Sequence, residues 1–77
     1  MDIYESYIKT EYIQLNQLLK MCSIVGSGGE VKALMAEHDF YYNGEPETRL
    51  RKKVYPGDTI QINEQILIKV FSEDNEA

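Results

Sequence analysis

The 77-residue chain predicts an α+β fold in which two short helices precede a small antiparallel sheet. Three features carry that reading. Two apolar stripes at helical spacing flank the break "GSGG"; the hydrophobic period changes to two after His38; and "YNGE" and "YPGD" supply turn chemistry between the predicted strands.

Taken in order, "YIKTEYI" alternates Tyr and Thr with charged residues, which suits an edge strand or extended arm over 5–13. Leu15, Leu18, Leu19 and Cys22 then share one face of a helix, with Asn16 as its expected N-cap. "SIV" and the glycines end it. A second helix follows with Val31, Leu34 and Met35 on its apolar face and Ala33 and Ala36 as good helix formers. Ser27 and Glu30 form an S-x-x-E capping box at its start, the glutamate expected to return to the Ser27 N–H.

Phe40 and Tyr42 fall on one side of a strand over 39–42, and Asn43, Gly44 and Pro46 turn the chain. In "YPGD", Pro56 is preset for the first central turn position and Gly57 takes positive φ at the next. "TIQI", the polar "NEQ" and "ILIKV" read as a terminal hairpin whose Ile60, Ile62, Ile66, Ile68 and Val70 face one core. The expected domain is therefore 1–71, with a core of 15–62 and an acidic, disordered tail over 72–77.

Composition narrows the chemistry. One cysteine, Cys22, precludes an internal disulfide, and one histidine, His38, leaves no ligand set for structural zinc. Cys22 reads as a small apolar core residue. No serine or cysteine is paired with a base in the sequence pattern, so the expectation is a non-enzyme without metal or cofactor. The start "MDIYESYIK" has neither a basic n-region nor an apolar h-region, and no run reaches membrane-spanning length, which points to the cytoplasm.

The net charge is −5, yet Arg49, Arg51, Lys52 and Lys53 place half of the chain's eight Lys and Arg within five residues. Such a cluster in an acidic chain makes a local positive field where phosphate docks. "GSGGEVK" is not a nucleotide cradle: it lacks the Gly-Lys-Ser/Thr end of a P-loop, and Val31 stands where a dinucleotide fingerprint needs glycine. Its glycines leave a helix N-terminus open to a phosphate all the same. The six tyrosines read as structural, with Tyr41, pointing opposite to its neighbours, the one candidate for base stacking.

The run "LNQLLKMCSIVGSGGEVKALMAEHDFYYNGEPETRLRKKVYPGDTIQI", residues 15–62, resembles the S4 RNA-binding domain, and more narrowly the stand-alone bacterial S4 proteins of the YaaA type. A leucine-rich first helix, a serine-containing break, a second helix opening with Glu30 and Lys32, then "YYNGE" and "YPGD" follow one another at near-family spacing. The resemblance implies an αL-type motif: two antiparallel helices packed on a small antiparallel sheet, binding structured RNA across the helical face. Ribosomal RNA is the implied target, with the ribosome or an assembly factor as possible company and a monomer as the expected state. The implied RNA-facing residues are Gln14, Asn16, Gln17 and Lys20, then Ser27, Gly28, Gly29 and Lys32. Arg49, Arg51, Lys52 and Lys53 extend that face.

Two departures matter. Many S4 domains carry arginine where Gln14 and Gly28 stand, which lowers the expected generic RNA affinity. Many carry glycine where His38 ends the second helix, so His38 is expected to stop that helix in the left-handed conformation. The rival reading is an S4-fold module that binds a protein partner and no RNA, supported by the net negative charge.

Overall fold

Alternation of side chains builds the sheet, and the computed structural model, which describes residues 1–73, resolves it strand by strand. The order is β1 (Asp2–Ile8), β2 (Ile13–Gln14), α1 (Leu15–Met21), α2 (Gly28–Glu37), β3 (Phe40–Tyr42), β4 (Glu45–Pro46), β5 (Lys53–Val54), β6 (Thr59–Ile62) and β7 (Ile66–Ser72). Five strands form one sheet in the order β1-β7-β6-β3-β4, while β2 and β5 form a separate antiparallel ribbon. The two helices and the inner sheet face enclose one core.

Period two decides what that core contains. Ile60 and Ile62 of β6, Ile68 and Val70 of β7, Phe40 of β3 and Ile8 of β1 are buried, and they meet Leu15, Leu18 and Leu19 of α1, Val31 of α2, and Val25 and Val54. The expected hairpin forms, with Ile60 opposite Ile68 and Ile62 opposite Ile66. Both predicted turns form with the backbone their residues favour. Asn43 (φ 50°) and Gly44 (φ 89°) make a two-residue hairpin turn of the primed type, and Gly57 (φ 97°) follows Pro56.

The N-terminal segment differs from expectation. The strand covers Asp2–Ile8 instead of 5–13, and it runs parallel to β7, from Asp2 opposite Ile66 to Ile8 opposite Ser72. The sheet is thus mostly, not wholly, antiparallel. Inward-facing Tyr4, Ser6 and Ile8 explain the register, because a shift by one residue would bury Glu5. The last strand reaches Ser72, the first residue of the predicted tail, and the Glu73 N–H donates to the Ile8 carbonyl at 2.7 Å. The rest of that tail, 74–77, lies outside the described residues.

Three helix-end expectations are corrected. The N-cap of α1 is Gln14, not Asn16; Asn16 lies inside the first turn, where its Oδ1 accepts the Gln17 N–H at 2.9 Å. Ser27 does cap α2, accepting the Glu30 N–H at 3.4 Å, but the Glu30 carboxylate returns to the Gly26 N–H, one residue upstream of the expected donor. His38 stops α2 in extended backbone (φ −133°, ψ 154°), not left-handed. Asn63 holds it there, its amide 2.7 Å from His38 Nδ1 and its Oδ1 accepting the Asp39 N–H at 2.9 Å.

The left-handed helix stop lies instead after α1. Ser23 has φ 61°, its N–H donates to Lys20 O and the Ile24 N–H to Leu19 O, both at 3.0 Å, the double bond of a Schellman ending. Serine has a Cβ where glycine has none, and the left-handed region is unfavourable for it. Ser23→Gly is therefore expected to raise unfolding free energy by about 1 kcal/mol, read as a higher urea midpoint at unchanged m-value.

Candidate nucleic-acid interface

Seven-residue α1 is too short to be stable by itself, and its N-cap Gln14 makes no side-chain capping bond. Its first N–H groups find acceptors elsewhere: Leu15 donates to Lys52 O and Asn16 to Leu50 O, both at 2.9 Å. Alongside, Gln14 pairs with Lys53 and Ile13 with Val54 across the β2–β5 ribbon. The backbone of the basic segment is therefore the cap of α1. That contact brings Gln14, Asn16 and Gln17 together with Arg49, Arg51, Lys52 and Lys53.

The four cations are not equivalent. Arg49 is held by Glu47 through a two-pronged contact, Nε to Oε2 at 2.9 Å and Nη2 to Oε1 at 3.2 Å. The Glu47 side chain is 8% exposed and that of Arg49 is 69% exposed. Glu47 also accepts the N–H groups of Thr48 and Arg49, at 3.1 and 2.9 Å. The Arg49 side-chain hydrogen bond, against the opposing effect of burial, holds the Glu47 carboxyl down at about 2. The same bond pushes the Arg49 guanidinium up. Part of the positive charge expected of the segment is thus compensated inside the protein.

Lys52 and Lys53 lie over aromatic rings, Lys52 Nζ 4.5 Å from the centroid of Tyr42 and Lys53 Nζ 4.9 Å from that of Tyr12. Cation–π contact leaves an ammonium charged and able to donate while limiting where it goes. Tyr42 is itself fixed, since its hydroxyl donates to Asp58 Oδ2. That bond, with burial, pushes the Tyr42 phenol up to about 12. Burial draws the Asp58 carboxyl upward, but the bonds from Tyr42, the Tyr55 N–H and Asn43 outweigh it and leave it lowered. Asp58 thereby ties the "YPGD" turn to the "YNGE" turn.

Tyr12 and Tyr55 belong to this surface, although the sequence places both in structural roles. Their rings lie 5.8 Å apart at 50°. The link is the pairing of Ile13 with Val54, a long-range contact for which no local pattern gives a signal. An open basin of about 500 Å³ is lined by Thr10, Glu11, Tyr12, Ile13, Gln14 and Gln17. A second, of about 470 Å³, is lined by Arg49, Arg51, Lys52, Lys53 and Tyr55. Tyr12 under Lys53 joins the two.

The remaining predicted residues lie at the other end of α1. Residues 23–27 lead from its C-terminus into α2, so Ser27, Gly28, Gly29 and Lys32 follow the end of α1 opposite to the one the basic segment caps, and α1 itself is about 10 Å long. Half-buried Asn16 and exposed Lys20 lie one turn apart along α1 between the two. Gly28 and Gly29 are exposed, and a Cβ at either would meet nothing within 4 Å. The Glu30 carboxylate beside them already complements the helix dipole. Tyr41 lines a different basin, with Asp39, Gly44, Gln61, Asn63 and Glu64 and no Lys or Arg.

A family model described as S4 domain matches residues 6–70. The chain belongs to the S4 domain family. It is also similar to "Probable ribosome maturation protein RlbA" of Bacillus subtilis (strain 168), 42% identical over 55 residues that cover 71% of this chain and 78% of that protein. The S4 match begins within β1 and ends within β7, so it takes in both helices, the ribbon and the basic segment. Among the described residues no group of three or more His, Cys, Asp or Glu could hold a metal ion, and no helix is long and apolar enough to cross a membrane.

The Glu47 contact makes a pH prediction. Its folded carboxyl, at about 2, lies below the ordinary 4.5, so its stabilisation is complete above pH 4.5 and is lost as pH falls toward 2. The Arg49 side-chain hydrogen bond is the largest cause, and because Arg49 is largely in solvent its stabilisation is screened; the bonds from the Arg49 and Thr48 N–H groups add to it. Glu47→Gln should cost about 1 kcal/mol at pH 7 and flatten the acid limb of a melting-temperature profile between pH 4.5 and 2.

Proposed function

We propose that this S4 protein binds structured RNA by its phosphates and shape, with ribosomal RNA or a ribosome-assembly intermediate as the target. The observation that carries the reading is the docking of the basic segment onto the start of α1. It sets Arg51, Lys52 and Lys53 beside Gln14, Asn16 and Gln17 in a chain whose net charge is −5. RNA helices expose phosphates and 2′-hydroxyls more readily than base edges, and such groups suit lysines, arginine and neutral amides. The printed name of the B. subtilis relative, a ribosome maturation protein, supports the choice of RNA.

In this reading Arg51, Lys52 and Lys53 meet one stretch of backbone, Gln14, Asn16 and Gln17 meet sugar hydroxyls, and Lys20 leads to Lys32 and the N–H groups of Gly28 and Gly29. Ser27 sets the entry to α2. Arg49, held by Glu47, marks the rim. The protein acts as a cytoplasmic monomer without a catalytic step.

Engagement of about four phosphates gives a slope of log affinity against log salt of roughly −3 to −4. Filter binding to a ribosomal RNA helix measures it, and a slope near zero refutes the electrostatic reading. Reversing Lys32, Arg51 and Lys53 together to glutamate should abolish RNA co-sedimentation while leaving the thermal midpoint near that of wild type. Gly28→Asp tests the second helix separately. Nothing in the fold opposes the added side chain, so the melting temperature should not fall, while RNA affinity should drop about 2- to 5-fold because the carboxylate takes the place of a phosphate at the helix N-terminus.

A second reading has one specific observation in its favour. Ile3 and Tyr7 on the outward-facing side of edge strand β1 are 57% and 46% exposed, an apolar surface that includes none of the basic segment. A protein partner docked there would bind independently of salt and would be unaffected by the triple charge reversal.

A further inference from the structure

We propose that Tyr55 is a stacking platform for one unpaired nucleobase, so that the RNA recognised is a helix interrupted by an unpaired nucleotide. The proposal rests on the RNA-binding reading above and names the RNA feature that the same surface selects.

Tyr55 is the single aromatic residue in a basin otherwise lined by Arg49, Arg51, Lys52 and Lys53. It is 39% exposed, and among the described residues its hydroxyl makes no hydrogen bond. The neighbouring tyrosines are already engaged. Tyr42 donates to Asp58 and lies beneath Lys52, and Tyr12 lies beneath Lys53. The ring of Tyr55 rests obliquely on Tyr12, at 50°, which supports one side of it.

Its backbone is fixed on both sides. Val54 before it is fully buried in the ribbon; the Tyr55 N–H donates to Asp58 Oδ2 at 2.8 Å, and the Tyr55 carbonyl accepts the Asp58 N–H at 2.9 Å. A ring held in this way loses little conformational freedom on binding, the condition under which exposed aromatic area contributes most to affinity. The basin, about 470 Å³, falls in the range of small-ligand sites and has room for a base beside the ring.

Bases within an A-form helix are covered on both faces by their neighbours, so the face of Tyr55 is reachable only for a base that has left the stack. A bulge, a loop or a strand end supplies one. Its flanking phosphates then fall among the surrounding lysines and arginines, the combination of aromatic platform and cationic groove used for unpaired nucleic acid. Stacking reads a face and not an edge, so the site selects the unpaired state above the identity of the base.

Two RNA hairpins of identical stem, one fully paired and one carrying a single bulged 2-aminopurine, test this with the full chain at one salt concentration. Wild type should bind the bulged hairpin roughly 5- to 150-fold more tightly and quench the 2-aminopurine fluorescence. Tyr55→Leu should bind both hairpins with the wild-type affinity for the paired one, without quenching, and Tyr55→Trp should keep both the preference and the quenching. Equal wild-type affinity for the two hairpins, or an undiminished preference in Tyr55→Leu, overturns the platform and leaves the RNA-binding reading standing. Absence of salt-dependent binding to either hairpin overturns both.

Discussion

A short helix that cannot satisfy its own first N–H groups is the constraint on which the candidate interface depends. Leu15 and Asn16 donate to Lys52 and Leu50 carbonyls, and Gln14 contributes no side-chain cap. An unpaired backbone donor at a buried helix start is costly, so the segment 50–54 is held against α1 whenever the domain is folded. Leu15, Leu18 and Leu19, all fully buried, hold the same helix on the sheet. Core packing and placement of the cations are thus two ends of one seven-residue element.

That arrangement shows how an acidic protein presents a local cationic surface to the proposed RNA. Net charge governs the long-range field, but a phosphate in contact responds to the nearest cations and to how well they are held. Tyr42 and Tyr12 limit the excursions of Lys52 and Lys53, and Glu47 limits those of Arg49. Asp58 orders the layer beneath by joining the hydroxyl of Tyr42, the amide of Asn43 and the N–H of Tyr55. Tyrosine is therefore a structural partner of lysine at two of these positions, and only at Tyr55 is a ring left without one.

Membership of the S4 domain family and the interface are linked by this geometry. The family match spans residues 6–70, which includes the cap, the capped helix and the aromatic layer. Glycine and aspartate in "YPGD" have plain physical duties: Gly57 takes φ 97° and Asp58 collects three donors. The serine at Ser23 takes a left-handed angle that glycine would adopt more readily, and the Schellman bonds hold it.

Elements set by neighbours in sequence were legible in it. The leucine stripe of α1, the Ser27 cap, the two turns and the Ile60–Ile68 hairpin follow from local periodicity and from residues that favour particular backbone angles. So was the cluster from Arg49 to Lys53, because it is contiguous. The parallel pairing of β1 with β7, the capping of α1 by the segment 50–52, the Glu47–Arg49 contact and the joining of Tyr12 to Tyr55 were not. The first two and the last join residues far apart in sequence, and the third depends on how Glu47 is buried, so local patterning does not encode them. By itself the sequence determined which helices and turns form and which residues carry positive charge. Only the tertiary structure decided which charges are compensated and which rings of the candidate interface lie beneath a lysine, because burial and pairing are properties of the assembled core.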